Sequence, residues 1–237
     1  MAPLPRRAEG GPLRIGHRGA AAREPDNSLA GIELALEAGL DGVEIDVVAG
    51  SGRLLVAHSL AELRPSSPGL DEALALVAAR AGDGFLLDLD VKTPGREDAL
   101  VAAIRRHGLV ERTLVSSFHG DVLRACRALE PELRLGFSYP DDRLGLGRTL
   151  PEPAIRAGLV VLRTALPARI GGMARRSGAG AAMLHHLVLS RAAVARCRRL
   201  GLAVFAWTVN DSDALRRMVE LGVDGVIGDD PGLLRDV

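Results

Sequence analysis

Three features of the sequence predict a single (β/α)₈ barrel. Eight short apolar runs of β character alternate with longer amphipathic stretches. Glycines at 39, 82, 108, 201 and 222 fall where those stretches should end, as glycines after helices do. The chain of 237 residues, 47% hydrophobic and 25% charged, has the size and balance of one larger domain. An open doubly wound sheet is the structural competitor.

The elements follow in order along the chain. A first strand over 13–17 leads to a helix over 28–38, where the Ser28 hydroxyl suits the cap. A second strand over 42–48 is followed by an extended segment over 53–58, a hairpin at the barrel rim. Strands are further expected over 84–91, 113–118, 133–137, 181–185, 204–208 and 225–228. Helices are expected over 71–81, 96–107, 121–129, 192–200 and 212–221. Residues 151–176 break the alternation: their wide apolar spacing suits two helices divided near Pro167. Residues 1–12 carry no element and are expected to be flexible, and no insertion domain interrupts the single domain.

Composition narrows the function classes. Thirty acidic residues balance 30 basic ones, which argues against a broad basic surface and against nucleic acid as partner. No apolar run approaches the roughly 18 residues of a membrane span, so no stable membrane insertion is expected. The first residues lack the apolar core of a secretory signal. Cys126 and Cys197 lie in separate helical stretches, as in a protein of a reducing, cytoplasmic compartment.

The same composition marks three residues. Lys92 is the one lysine against 29 arginines, Asn27 and Asn210 are the only asparagines, and glutamine is absent. A residue that persists against such a bias is expected to have a geometric task, since a compact ammonium and a planar fork are not interchangeable.

Residues two apart in a strand face the same side. Glu44 and Asp46 therefore share a face, roughly 7 Å apart at their α-carbons, while Val43, Ile45 and Val47 face the helices. The next strand repeats this with Asp88, Asp90 and Lys92. Inward carboxylates at such density raise one another's pKa unless a cation lies among them. Hard oxygen ligands suit Mg²⁺ or Ca²⁺; a metal-free network with Lys92 and arginines is the alternative. His17 and Arg18 end the first strand at the face where barrel enzymes build their sites. A histidine exchanges protons near neutral pH and an arginine forks onto phosphate or carboxylate. His58 ends the extra segment and can approach from the opposite side.

These motifs together resemble the glycerophosphodiester phosphodiesterase family. The family's His-Arg-Gly and Pro-Glu-Asn-Thr are matched by His17-Arg18-Gly19 and Pro25-Asp26-Asn27-Ser28. Its Glu-x-Asp-Val is matched by Glu44-Ile45-Asp46-Val47, its His-Asp by His58-Ser59 and its Glu-x-Lys by Asp90-Val91-Lys92. Ser116-Ser117-Phe118 and Trp207-Thr208-Val209-Asn210 match as they stand, and Gly228-Asp229-Asp230-Pro231 resembles the closing Thr-Asp-x-Pro. The three residues singled out by composition all lie inside these motifs.

The resemblance implies a metal-dependent cleavage of a small glycerophosphodiester to an alcohol and sn-glycerol 3-phosphate. By the same resemblance His17 and His58 are the general acid–base pair. Glu44, Asp46 and Asp90 hold one divalent cation, Mg²⁺ or Ca²⁺, and Arg18 and Lys92 meet the phosphate. Trp207 and His185 are expected to line the substrate pocket. The departures are Asp90 for a Glu, Ser59 for an Asp, and a connection of about a dozen residues after His58 where the family carries a longer insertion. Competing readings are a phospholipase-like barrel that forms a cyclic phosphate and a barrel that binds phosphorylated ligands without turnover.

Overall fold

The protein is described by a computed structural model covering residues 10–141 and 151–236. Most of the 1–12 segment thus lies outside the described residues. Nine strands form in chain order: β1 (Leu13–Gly16), β2 (Gly42–Gly50), β3 (Arg53–Val56), β4 (Leu86–Val91), β5 (Thr113–Ser117), β6 (Arg134–Tyr139), β7 (Ala181–His185), β8 (Ala203–Trp207) and β9 (Gly225–Gly228). Between them run α1 (Leu29–Glu37), α2 (Leu70–Arg80), α3 (Glu97–Arg106), α4 (Gly120–Leu129), α5 (Glu152–Ser177), α6 (Arg191–Arg199) and α7 (Ser212–Leu221), and α8 (Pro231–Leu234) follows β9.

Eight strands are parallel and close on themselves: β1 pairs with β2 on one side and β9 on the other, and β4 to β8 complete the ring. The barrel is therefore as the alternation predicts. β3 stands outside the ring, antiparallel to the far half of β2 from Val47↔Val56 to Gly50↔Arg53, and is the rim hairpin. Ser28 caps α1 as expected, its Oγ accepting from the Gly31 N–H at 3.0 Å.

The apolar residues divide into two cores. Val43, Ile45, Val47, Leu87, Leu89 and Val91 point outward and are buried under the helices. Leu13, Ile15, Leu86, Leu114, Met183, Phe205 and Ile227 fill the barrel interior. Space for Phe205 comes from Gly225, where a Cβ would stand 2.3 Å from the ring. Inward positions nearer the C-terminal ends of β1, β2 and β4 change to His17, Glu44, Asp46, Asp88 and Asp90. One end of the barrel plug is thus hydrocarbon and the other ionisable.

One element departs from expectation. Residues 152–177 form a single helix, α5, with Pro167 inside it, in place of two helices divided there. A proline removes one backbone N–H and costs about 3 kcal/mol in a helix interior. Leu166 and Ile170, both fully buried on either side of Pro167, hold the helix to the barrel and offset that cost.

Candidate active site

A cavity of about 510 Å³ opens at the C-terminal end of the barrel. Its wall includes His17, Arg18, Glu44, His58, Asp90 and Lys92, together with Trp207 and Phe118. Sequence motifs from six separate regions of the chain therefore meet in one place.

Glu44, Asp46 and Asp90 bring one oxygen each within 4.8 Å of one another, and all three are buried. They lie in register on paired strands, Asp46 opposite Asp90 and Glu44 opposite Asp88. Burial, reinforced by the neighbouring Asp46 charge, pushes Glu44 well above the usual carboxylate range. Burial with the Glu44 and Asp90 charges does the same to Asp88, and burial raises Asp90. For Asp46, burial opposes ionisation, but hydrogen bonding to His58 and the charges of Lys92 and Arg18 hold it well below the usual range. Lys92 meets Asp46 Oδ1 at 2.7 Å and also contacts Asp90. Although burial disfavours its charge, the Asp90, Asp46 and Glu44 carboxylates raise its pKa and keep it an ammonium. Four carboxyl groups, Glu44, Asp46, Asp88 and Asp90, here face two cationic side chains, Arg18 and Lys92. Asp90 Oδ1 and Asp88 Oδ2 are buried without a hydrogen-bond partner. Three hard oxygen donors with one unused buried oxygen among them fit a divalent cation.

The two asparagines make the same clamp. Asn27 donates from Nδ2 to Asp46 Oδ2 at 2.8 Å and accepts the Asp46 backbone N–H at 2.9 Å. Asn210 donates from Nδ2 to Asp229 Oδ2 and accepts the Asp229 backbone N–H at 3.0 Å. Each amide thus fixes both the main chain and the carboxylate of one aspartate. Only a side chain with a donor and an acceptor in one plane can do this. Asn27 also has φ +57°, a left-handed conformation that asparagine tolerates better than most residues.

Asp229 in turn holds His17. Its Oδ1 lies 2.6 Å from His17 Nδ1, and the His17 Nε2 faces Glu44 Oε2 at 3.9 Å. Burial opposes ionisation of Asp229, but the bonds from His17 and Asn210 and the charge of His17 hold its carboxyl below the usual range. A carboxylate at Nδ1 selects the tautomer with the proton on Nδ1 and leaves Nε2 a bare acceptor. The Asn210–Asp229–His17 chain was not assigned from sequence. Its one trace is that Asn210 and Asp229 lie in two fragments that resemble the family motifs, 19 residues apart, with nothing to show that they meet His17.

Arg18 links the cluster to His58. Nη1 donates to Asp26 at 2.9 Å, Nη2 lies 3.0 Å from His58 Nδ1, and Nε is 3.1 Å from Asp46 Oδ2. Its φ is +50°, a strained value of order 1–2 kcal/mol for an L residue. The strain aims its backbone N–H at Glu44 Oε2, 2.9 Å away. His58 Nδ1 also lies 3.3 Å from Asp46 Oδ2.

Trp207 lines the cavity and meets Phe118 edge-on at 6.1 Å. His185, expected beside it, lies behind: its ring packs edge-on against Trp207 at 5.0 Å and is not among the described residues of the cavity wall. The inward file of β7 does run through 181, 183 and 185, but the indole of the adjacent strand covers the last position. Ser59 reaches the wall, as do Glu62, Ser138 and Met183, whose types carried no signal in the sequence.

The glycerophosphoryl diester phosphodiesterase family matches residues 17–69 and 90–233. The chain belongs to that family. Among curated relatives it is similar to the glycerophosphodiester phosphodiesterase of Caldanaerobacter subterraneus subsp. tengcongensis, 28% identical over 94% of this chain and 96% of that one. It is also similar to the glycerophosphodiester phosphodiesterase of Bacillus altitudinis, 27% identical over 91% and 93%. Among solved structures, a putative family member from Silicibacter pomeroyi superposes with a TM-score of 0.77 at 24% identity, covering 98% of this chain and 94% of that one. An Oleispira antarctica phosphodiesterase solved with the product sn-glycerol 3-phosphate gives 0.70 at 24% identity, covering 95% and 96%. At such identity the superpositions attest the barrel alone. The chain is thus an enzyme of a phosphodiesterase family, and the matched residues include His17, Glu44, Asp46, His58 and Asp90.

Proposed function

We propose that the protein hydrolyses a small glycerophosphodiester to an alcohol and sn-glycerol 3-phosphate, in the cytoplasm and with a divalent cation. The observation that carries this reading is the placing of two histidines, held in different ways, on one cavity with the acidic cluster.

Glu44, Asp46 and Asp90 would hold the cation, Mg²⁺ or Ca²⁺. When bound, it offsets charge that develops on the phosphoryl oxygens. His17, with Nδ1–H held by Asp229, presents a bare Nε2 to the cavity and takes a proton of the attacking water. His58, whose Nδ1 faces the Asp46 carboxylate, acts in its doubly protonated form and gives the Nε2 proton to the leaving alcohol oxygen. Arg18 has five N–H groups and gives one to Asp26, so N–H groups remain for the phosphate. Lys92 spends two of three on Asp46 and Asp90 and keeps one. Both side chains counter the charge that builds on the phosphoryl oxygens as the bond breaks. Trp207 and Phe118 form an apolar wall against which the glycerol carbons pack. The free, buried Cys126 and Cys197 suit a reducing compartment.

Phosphorus NMR of a glycerophosphodiester turned over by the protein tests the reaction. A single resonance of glycerol 3-phosphate growing from the start is expected. Early accumulation of a cyclic phosphate would instead make a substrate hydroxyl the nucleophile, and an unchanged substrate signal would overturn the reading.

A further inference from the structure

The zero net charge conceals a segregation. Residues 152–201 contain nine arginines and one acid, Glu152, so this stretch carries +8 and the rest of the chain −8. The expectation that balanced charge excludes a broad basic surface therefore fails locally. Arginines elsewhere, such as Arg80, Arg105 and Arg112, pair with carboxylates. Those at 163–199 on α5 and α6 have no carboxylate partner among the described residues.

The first half of α5 is also apolar on its solvent side. Val160 and Val161 are 63% and 64% exposed, more than any other large hydrophobic residue described. Ala154, Ala157 and Ala168 are exposed on the same helix. At 100° per residue these positions share one face, with Arg163 on one flank and Arg169 on the other. Arg163 also borders a notch of about 420 Å³ between α5, α6 and α7, lined further by Arg191, Arg217, Glu220 and the Ser190 cap of α6. The Arg217 Nε is buried without a hydrogen-bond partner. Because α5 follows a connection from the C-terminal end of β6, its first half lies toward the catalytic end of the barrel.

We propose that this face docks on an anionic lipid surface. Val160 and Val161 enter the boundary between headgroups and acyl chains, and the Arg163–Arg191–Arg217 notch receives a lipid phosphate. The one carboxylate in the notch, Glu220, is outnumbered three to one. A second copy of the chain is disfavoured, since a two-fold contact sets arginines against arginines. Nucleic acid is disfavoured too: the face offers no aromatic ring to a base, and exposed valines have no use for a phosphate backbone. Docking would bring the cavity mouth beside a membrane without any spanning helix, and no described helix is long and apolar enough to span one.

Sedimentation of the full-length protein with vesicles tests this apart from catalysis. Phosphatidylcholine vesicles containing phosphatidylglycerol should bind it at low salt, and pure phosphatidylcholine should not. Screening by about 0.5 M salt should release it. Arg163→Glu with Arg191→Glu should lower the partition coefficient at least 25-fold, at about fivefold per lost surface arginine. Val160→Asp should lower it as well, and both variants should hydrolyse a soluble glycerophosphodiester at the unaltered rate. The proposal is overturned if phosphatidylglycerol vesicles do not bind, if the double variant binds as tightly as the parent, or if single-stranded DNA binds in preference to the vesicles.

Discussion

Replacing Asp229 by Asn separates the charge of this side chain from its shape. The change keeps volume but converts one carboxylate oxygen to an NH₂. Asn210 Nδ2 donates to the 229 side chain on one side, and His17 Nδ1 meets it at 2.6 Å on the other. The carbonyl of the new amide must stay with Asn210, because a donor facing a donor is repelled. Its NH₂ then points at His17 Nδ1, which must shed its proton to accept. His17 is left with Nε2–H facing the cavity, the wrong tautomer for a base. Loss of the charge-assisted hydrogen bond alone is worth about 1.5–3 kcal/mol, or roughly 10- to 150-fold in kcat/KM. The inverted tautomer adds to it, so Asp229→Asn should fall further than Asp229→Ala, which leaves the imidazole free to choose. Steady-state release of glycerol 3-phosphate by the two variants measures the order. An Asp229→Asn enzyme within threefold of the parent, or more active than Asp229→Ala, would refute the role given to this chain of hydrogen bonds.

Three other outcomes are expected. Asn27→Ala strands the Asp46 backbone N–H in a buried site, while Oδ2 keeps Arg18 and His58 beside it; urea unfolding should show a loss of about 1–3 kcal/mol, and no measurable change would mean water replaces the amide. Folded-state pKa values of Glu44, Asp88 and Asp90 are raised chiefly by burial. Their stabilisation is full below the unfolded carboxylate pKa and lost as pH rises through the raised values. The melting temperature of EDTA-treated protein should therefore fall as pH rises above the ordinary carboxylate range, and Mg²⁺ or Ca²⁺ should recover it; a cation without effect there would disprove the fit. Pro167→Ala restores a helix-interior N–H in α5 and should stabilise by about 1–3 kcal/mol, whereas destabilisation would show that the proline is needed where it stands.

The barrel was legible because its signals are local. Alternation in β2 and β4 fixed which side chains face inward, and Ser28 and the glycines after helices marked the ends. The site was legible wherever one strand carried its own geometry, as in Glu44-Ile45-Asp46 and Asp90-Val91-Lys92. Contacts between distant segments were not. That Asp229 holds His17, 212 residues away, depends on β9 closing the barrel against β1. Trp207 covering His185 depends on the register of β7 and β8, and periodicity gave only the side each residue faces. Pro167 misled because local helix breaking was outweighed by the burial of Leu166 and Ile170. Composition supplied what spacing did not: Asn27, Lys92 and Asn210, kept against a strong bias, each tie down an aspartate of the site.

The central claim is tested most directly by release of glycerol 3-phosphate from a panel of small glycerophosphodiesters, with EDTA, Mg²⁺ or Ca²⁺ added. Turnover that EDTA abolishes, that one cation restores and that His17→Ala lacks is the predicted result. Undiminished turnover in EDTA, or no release by folded protein with either cation present, would contradict the account.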